Sequence, residues 1–293
     1  MSGLESKAGS KPADILLRIV ARRRERLAEA KAAAAGAIGT AGEALELQAG
    51  PPLGPADNAF LGALVACRER GVPAIIAEVK MGSPRLGSLA GRVDPTAQAA
   101  TYAANGAAAL SVVVEPDFFH GSYEILAACR RVAELPAIAK DFIVDPLQLA
   151  WAKAAGADAI LLVAALYEPA ELVHWAGLAR GLGLVPLIET HSREDVAKLS
   201  GSPAGSTGAS TPWELVGVNN RNLRTFEVDL GASIDLLPAL PPLALKVAES
   251  GIDGRAAVLR LHGAGFDAFL IGESLLLAPS PAAKLRELSG APA

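Results

Sequence analysis

From Gly71 onward the chain repeats one pattern eight times, a short run that is apolar at almost every position. The runs are AIIAEVK (74–80), AALSVVVE (108–115), AIAK (137–140), AILLVAA (159–165), LVPLIE (184–189), ELVGVN (214–219), LALKVAE (243–249) and AFLIG (268–272). A strand with one wet face alternates apolar and polar residues, whereas a run apolar throughout must be covered on both faces. Such runs belong to a parallel sheet clad in helices. Helical stretches such as PLQLAWAKAAGA and EPAELVHWAGLARGLG separate them, and a glycine closes each helix at Gly106, Gly156, Gly183 and Gly265. Eight strand–helix units in about 220 residues predict an α/β chain folded as a (β/α)8 TIM barrel. A doubly wound sheet rarely needs eight such regular repeats, and no GxGxxG follows the first run.

The segments before the barrel read differently. Residues 1–13 are polar and predict a disordered tail without the apolar core of a secretory signal. From Asp14, a plausible N-cap, the spacing of Ile15, Leu16, Ile19, Val20 and Leu27 predicts an amphipathic helix. A Gly/Ala/Pro-rich connector over 36–58 and a second helix over about 59–70 complete an N-terminal extension, 14–70, to the barrel domain at 71–293. SGSPAGSTGASTP, 200–212, predicts a flexible surface insertion ahead of strand six.

The chain has 293 residues, a formal charge of −4 and few aromatics, which argues against a nucleic-acid partner. Arg22-Arg23-Arg24 and Arg26 are interleaved with Glu25 and Glu29, the pattern of a solvated helix face. No apolar stretch reaches the roughly 18 residues that a membrane span needs. Cys67 and Cys129 have no metal-ligand spacing and read as reduced structural thiols of a cytoplasmic protein. His120, His174, His191 and His262 are scattered and are given structural roles, with no metal site.

In a (β/α)8 barrel the active site forms at the C-terminal ends of the strands. Those ends carry Glu78 and Lys80, Glu115, Lys140, Glu189, Asn219 with Arg221, Glu249 with Ser250-Gly251, and Gly272-Glu273-Ser274; only the fourth lacks a polar residue. Buried charge is costly unless paired, so this convergence implies either an extensive ion-pair network or a charged ligand. Glu78 and Lys80, two residues apart, point to the same side, whereas Lys140 and its neighbour Asp141 point to opposite sides. Lys140 therefore looks across the mouth to Glu78 and Glu189, and a lysine acid facing a glutamate base is a workable pair. The turns ESGI and IGES at strands seven and eight suit a phosphate held by backbone N–H groups.

Seven segments, IIAEVKMGSP, ALSVVVEPDFFHGS, AKDFIVDPLQLAWAKAAGADAILLVAA, PLIETH, GVNNRNLRTFEVDL, VAESGI and FLIGESLL, resemble the indole-3-glycerol-phosphate synthase family in the same order. The resemblance runs from about Asp14 to Leu277 and implies a carboxy-lyase of tryptophan biosynthesis that uses no cofactor or metal. It implies Lys140 as general acid, Glu189 as the glutamate assisting dehydration, Lys80 as the second lysine, and Glu78 and Asn219 in the catalytic set. Ser83, Phe119, Phe142, Arg221, Glu249, Ser250, Gly251, Gly272 and Glu273 would contact the substrate. The partner is then a phosphorylated small molecule, with neither nucleic acid nor membrane. The chain is expected to be a monomer or weak homodimer, in possible contact with other tryptophan-pathway enzymes. The loop Met81–Gly87 departs from the family pattern, leaving Arg85 as its main cation. The nearest rivals are a phosphoribosylanthranilate isomerase, which would need a rim cysteine or aspartate pair, and a silent barrel that only binds a phosphorylated metabolite.

Overall fold

The computed structural model describes residues 12–37, 47–84, 86–200, 213–221 and 227–291. Eight parallel strands close into a barrel in sequence order: β1 Ala74–Val79, β2 Ala109–Val113, β3 Ala137–Lys140, β4 Ala159–Val163, β5 Val185–Thr190, β6 Leu215–Asn219, β7 Leu245–Glu249 and β8 Ala268–Ile271. β1 pairs with both β2 and β8, so the sheet has no free edge. Helices connect the strands, and Pro281–Ser289 follows the last of them. Glycines at the helix ends make the return turns, as at Gly156 (φ 84°) and Gly183 (φ 72°), a conformation that a Cβ disfavours.

Alternation along each strand sorts the side chains into two cores. Ile75, Ala77, Leu110, Val112, Ala137, Ala139, Ile160, Leu162 and Ile188 face outward and pack with the helices. Ala74, Ile76, Ala109, Ile138, Ala159, Leu161, Val185, Leu187, Leu215, Leu245, Val247, Ala268 and Leu270 fill the barrel. Helix α2, Ala59–Glu69, stoppers the N-terminal end of this inner core with Phe60, Leu61 and Leu64. Each such side chain contributes about 2 kcal/mol on burial. Asn58 caps α2 through the Leu61 N–H and donates its amide to the carbonyls of Asp158 and Gly183, which fixes the helix to the barrel floor.

Helix α1, Pro12–Ala37, begins two residues earlier than the expected Asp14, with proline in the first turn where its missing N–H costs nothing. The expected tail therefore loses Pro12 and Ala13 to this helix; its residues 1–11 lie outside the described residues, as do 201–212 of the expected insertion. The reading of the arginine cluster as a solvated face holds for Arg22, Arg24 and Arg26, which stay exposed or half-exposed, and is corrected for Arg23. Arg23 is buried, and its guanidinium grips Asp141 with Nη2–Oδ2 at 2.5 Å and Nε at 3.1 Å from both oxygens. Asp141 also accepts from Tyr123 Oη, Gln148 Nε2 and the Phe142 N–H, each at 2.9 Å. Arg22 and Arg26 both bind Asp117. Asp117 and Asp141 follow β2 and β3, so α1 lies against the catalytic end of the barrel while α2 closes the other. No helix among the described residues is long and apolar enough to cross a membrane.

The two kinds of arginine should separate on mutation. Arg23→Ala leaves Asp141 buried without its cation and is expected to cost about 3 kcal/mol in denaturant unfolding. Arg22→Ala, at an exposed pair, should leave the unfolding midpoint nearly unchanged.

Candidate active site

The inward register that delivers Ile76 and Ile138 to the core delivers Glu78 and Lys140 to the mouth two residues later. Glu78 lies between the two lysines, with Lys80 Nζ at 2.7 Å from Oε1 and Lys140 Nζ at 3.4 Å from Oε2. Lys140 also contacts Glu249 Oε2 at 3.3 Å, and 20% of its side chain stays exposed. Glu249 replaces Glu189 as the direct partner expected for Lys140. Glu189 acts on Lys140 through its charge and is instead met by His191, with Nε2 3.2 Å from Oε1. Asp141 points outward to Arg23, so it takes no part in this cluster.

Two inward glycines make room for the carboxylates. A Cβ on Gly217 would lie 2.3 Å from Glu249 Oε1, and one on Gly272 would lie 2.3 Å from Glu78 Oε1. The glycine of the IGES turn therefore serves as space for an acid besides making a turn.

The electrostatics follow from burial and neighbours. Burial opposes ionisation of Glu78, but Lys80 and Lys140 outweigh it and hold its carboxyl down to about 2. Glu189 is likewise held down to about 2, against burial, by His191 and then Lys140. Burial and then the Glu189 charge push the Glu249 carboxyl well above the ordinary carboxylate range, with Lys140 pulling the other way. Burial disfavours the Lys140 ammonium, yet Glu249, Glu78 and Glu189 together raise its pKa above the usual lysine value. Lys140 is therefore a cation with an exposed side, which suits it to receive a developing oxyanion.

The remaining expected residues fall around this cluster. Phe142 packs on the inner core, and its ring centroid lies 6.3 Å from that of Phe119, giving the mouth an aromatic wall. Asn219 ends β6, and its Oδ1 accepts the Arg221 N–H at 3.0 Å. Arg221 reaches Glu273 at 3.4 Å. Ser250 and Gly251 both take left-handed φ, 66° and 74°, in the turn after β7, and Gly272 precedes the short helix Glu273–Leu276. Ser83 lies in a small hairpin, Gly82–Ser83 against Gly87–Ser88, where its Oγ accepts the Leu86 N–H rather than facing the charge cluster. Arg85 and residues 222–226 lie outside the described residues. Glu115 does not join the rim: it sits beyond β2 and accepts the N–H groups of Asp117, Phe118 and Phe119, organising their loop.

Sequence reasoning missed two members. His191 was assigned a structural role with the other histidines, although its place two residues after Glu189 puts both on one side of the strand. Asn220 is buried behind the rim, donating to the carbonyls of Glu249 and Ser250 while its Oδ1 accepts from Ser233 Oγ at 2.5 Å. It anchors the strained Ser250 turn, and no spacing rule marks it out. His174 and His262 lie in helices, as expected. Among the described residues no three His, Cys, Asp or Glu side chains are grouped as metal ligands.

Known proteins are similar to this chain over nearly its whole length. The family model described as indole-3-glycerol phosphate synthase matches residues 16–288. A protein of Azoarcus sp. (strain BH72) named indole-3-glycerol phosphate synthase is 41% identical over 94% of this chain and 99% of its own length. One of the same name from Acidithiobacillus ferrooxidans (strain ATCC 53993 / BNL-5-31) is 40% identical over 94% of this chain and 98% of its own. Among solved structures, 3-hexulose-6-phosphate synthase from Salmonella typhimurium superposes with a TM-score of 0.57 at 14% identity, over 74% of this chain and 97% of that one. The tryptophan synthase alpha subunit from Legionella pneumophila str. Paris gives 0.55 at 14% identity, over 80% and 97%. At such identities these two structures speak for the barrel alone, whereas the family model and the curated relatives cover nearly all of the sequence. The chain belongs to the indole-3-glycerol phosphate synthase family.

Proposed function

We propose a division of labour among the rim residues for the reaction of this family. Membership makes the chain a carboxy-lyase of tryptophan biosynthesis. It converts 1-(2-carboxyphenylamino)-1-deoxyribulose 5-phosphate into indole-3-glycerol phosphate, CO2 and water. The observation that carries the assignment of roles is Lys140, a half-buried ammonium held at 3.3–3.4 Å by Glu78 and Glu249 with one side open to the mouth.

In this reading Lys140 donates its proton to the ribulose carbonyl oxygen as the ring carbon bearing the carboxylate attacks C2. The alkoxide that would form is the charge the lysine is placed to meet. Loss of CO2 then returns the bonding electrons to the ring. Departure of the former carbonyl oxygen as water needs a proton at that oxygen and a base for the proton lost from the ring system. Lys80, held by Glu78, supplies the first, and the ionised Glu189 takes the second. Glu78 lies between both lysines and holds them in place, and Asn219 orders the Arg221 backbone beside them. Phe119 and Phe142 line the place of the aromatic ring. Ser250, Gly251, Gly272 and Glu273 hold the phosphate largely by backbone N–H groups, with Arg221 offsetting the Glu273 charge; Ser83 and Arg85 contribute from the loop after β1.

The substrate is a phosphorylated small molecule. We place the chain in the cytoplasm as a monomer or weak homodimer, open to contact with other tryptophan-pathway enzymes. The segments 1–13, 14–70, 71–293 and 200–212 keep their reading as tail, helical extension, barrel and surface insertion, apart from the α1 start.

Lys140→Ala should lower turnover by about 10²–10⁴-fold, followed by the indole fluorescence of the product, with an unchanged circular-dichroism spectrum. Near-wild-type turnover would remove Lys140 from the chemistry. Gly217→Ala should displace the Glu249 carboxylate and cost about 10²-fold in kcat. Gly263→Ala, where an added Cβ meets nothing within 4 Å, is the matched control and should leave kcat unchanged. The folded pKa of Glu78 is depressed from 4.5 to about 2, so its stabilisation is complete above the unfolded value. The stability gap between wild type and Glu78→Gln should therefore shrink as pH falls from 4.5 towards about 2; urea titrations at several pH values read it directly.

A further inference from the structure

His191 is a buried titratable group that the reaction as set out above leaves unused. It follows Glu189 by two residues, projects to the same side, and places Nε2 3.2 Å from Glu189 Oε1. Its side chain is 8% exposed, and neither ring nitrogen makes a well-formed hydrogen bond among the described residues. The backbone is fixed separately: the His191 N–H donates to Asp195 Oδ2 at 2.9 Å, and Ser192 caps the helix Arg193–Ala197. The ring is therefore neither a capping group nor a bridge within the scaffold. A buried polar ring without such partners is disfavoured where an apolar side chain would fill the space as well. What the ring does have is a catalytic carboxylate at contact distance.

We propose that His191 is a positioning residue for the reaction: its buried ring, in contact with the Glu189 carboxylate, keeps that carboxylate turned to the mouth, so that Glu189 enters dehydration as a base. The inference rests on the reading of Glu189 as that base. The titratable groups acting on Glu189 are His191, Lys140 from β3 and Glu249 from β7. β1 brings Glu78 with Lys80, which are paired to each other. β4 presents Val163 in register with Glu189, and β6 presents Gly217, followed by the uncharged Asn219 and by Arg221, which reaches Glu273. Asp195 meets His191 through the His191 backbone N–H and pairs with Lys198, whose ammonium also donates to the carbonyls of Ala164 and Tyr167. Lys140 is shared with two other carboxylates, and Glu249 is itself a carboxyl, which leaves His191 as the group dedicated to Glu189.

The test is the pH dependence of kcat and KM for the full-length chain, read by product fluorescence, in H191Q, H191K and E189Q beside the wild type. Loss of His191 removes the contact that lowers the Glu189 carboxyl, so the acid-side fall of kcat should begin about one to three pH units higher in H191Q. KM should stay within about twofold, because His191 acts through Glu189 rather than on the substrate. H191K, which places a cation there, should return the acid side towards its wild-type position. An unmoved acid side in folded H191Q would make the histidine a packing residue and overturn the inference. A folded H191K that stays shifted would overturn its electrostatic basis. Should H191Q fail to fold, H191N is read in the same way. E189Q separates the two layers. Its loss of turnover with an unmoved H191Q sinks the inference alone, whereas full turnover in E189Q removes Glu189 as base and the inference with it.

Discussion

The alternation of side chains on eight parallel strands, closed into a ring, is the constraint on which everything else depends. Closure gives each strand one face towards helices and one towards an interior too narrow for anything but side chains. Residues of one parity, such as Ile75, Ala77 and Ala139, become the helix-facing core, and those of the other, such as Ile76 and Ile138, become the barrel filling. Continuing the second parity past the filling brings Glu78, Lys140, Glu189 and Glu249 to a single mouth. A one-residue slip in any strand would send its charge into the apolar layer beneath the helices.

Charges gathered this closely must balance locally, and they do so unequally. Two lysines hold Glu78 ionised, while Glu249, between Glu189 and Lys140, is pushed upward by burial and by the Glu189 charge. The mouth thus offers a cationic donor and carboxyls pushed in opposite directions within a few ångströms, an assortment that water would level. Gly217 and Gly272 belong to this balance as much as the acids, because each leaves the volume that a carboxylate occupies.

The N-terminal extension serves both ends of the barrel. α2 stoppers the floor with apolar side chains, a job that needs only shape and hydrophobicity. α1 instead reaches the catalytic end through Arg23, whose partner Asp141 is the residue next to Lys140. Because neighbours on a strand face opposite ways, one residue presents its charge to the mouth while the next ties the same backbone to α1. The lysine is therefore held from two directions, by carboxylates inside and by a buried ion pair outside.

The sequence by itself determined the strand count, the parallel sheet and the parity that aims Lys140 inward and Asp141 outward, because these follow from local spacing. It also located most of the rim, since polar residues interrupting apolar runs are conspicuous. Tertiary structure alone decided the pairings. Helical spacing sets Arg23 between Ile19 and Leu27 on the apolar face, with Arg24 off to its side, yet only the docking of α1 supplies the Asp141 that lets the arginine be buried there. Lys140 meets Glu249 rather than Glu189, and Glu189 meets His191, because reach across the mouth depends on strand tilt and on the gaps left by Gly217 and Gly272. Spacing along the chain fixes which way a side chain points; only the closed barrel fixes what it meets there.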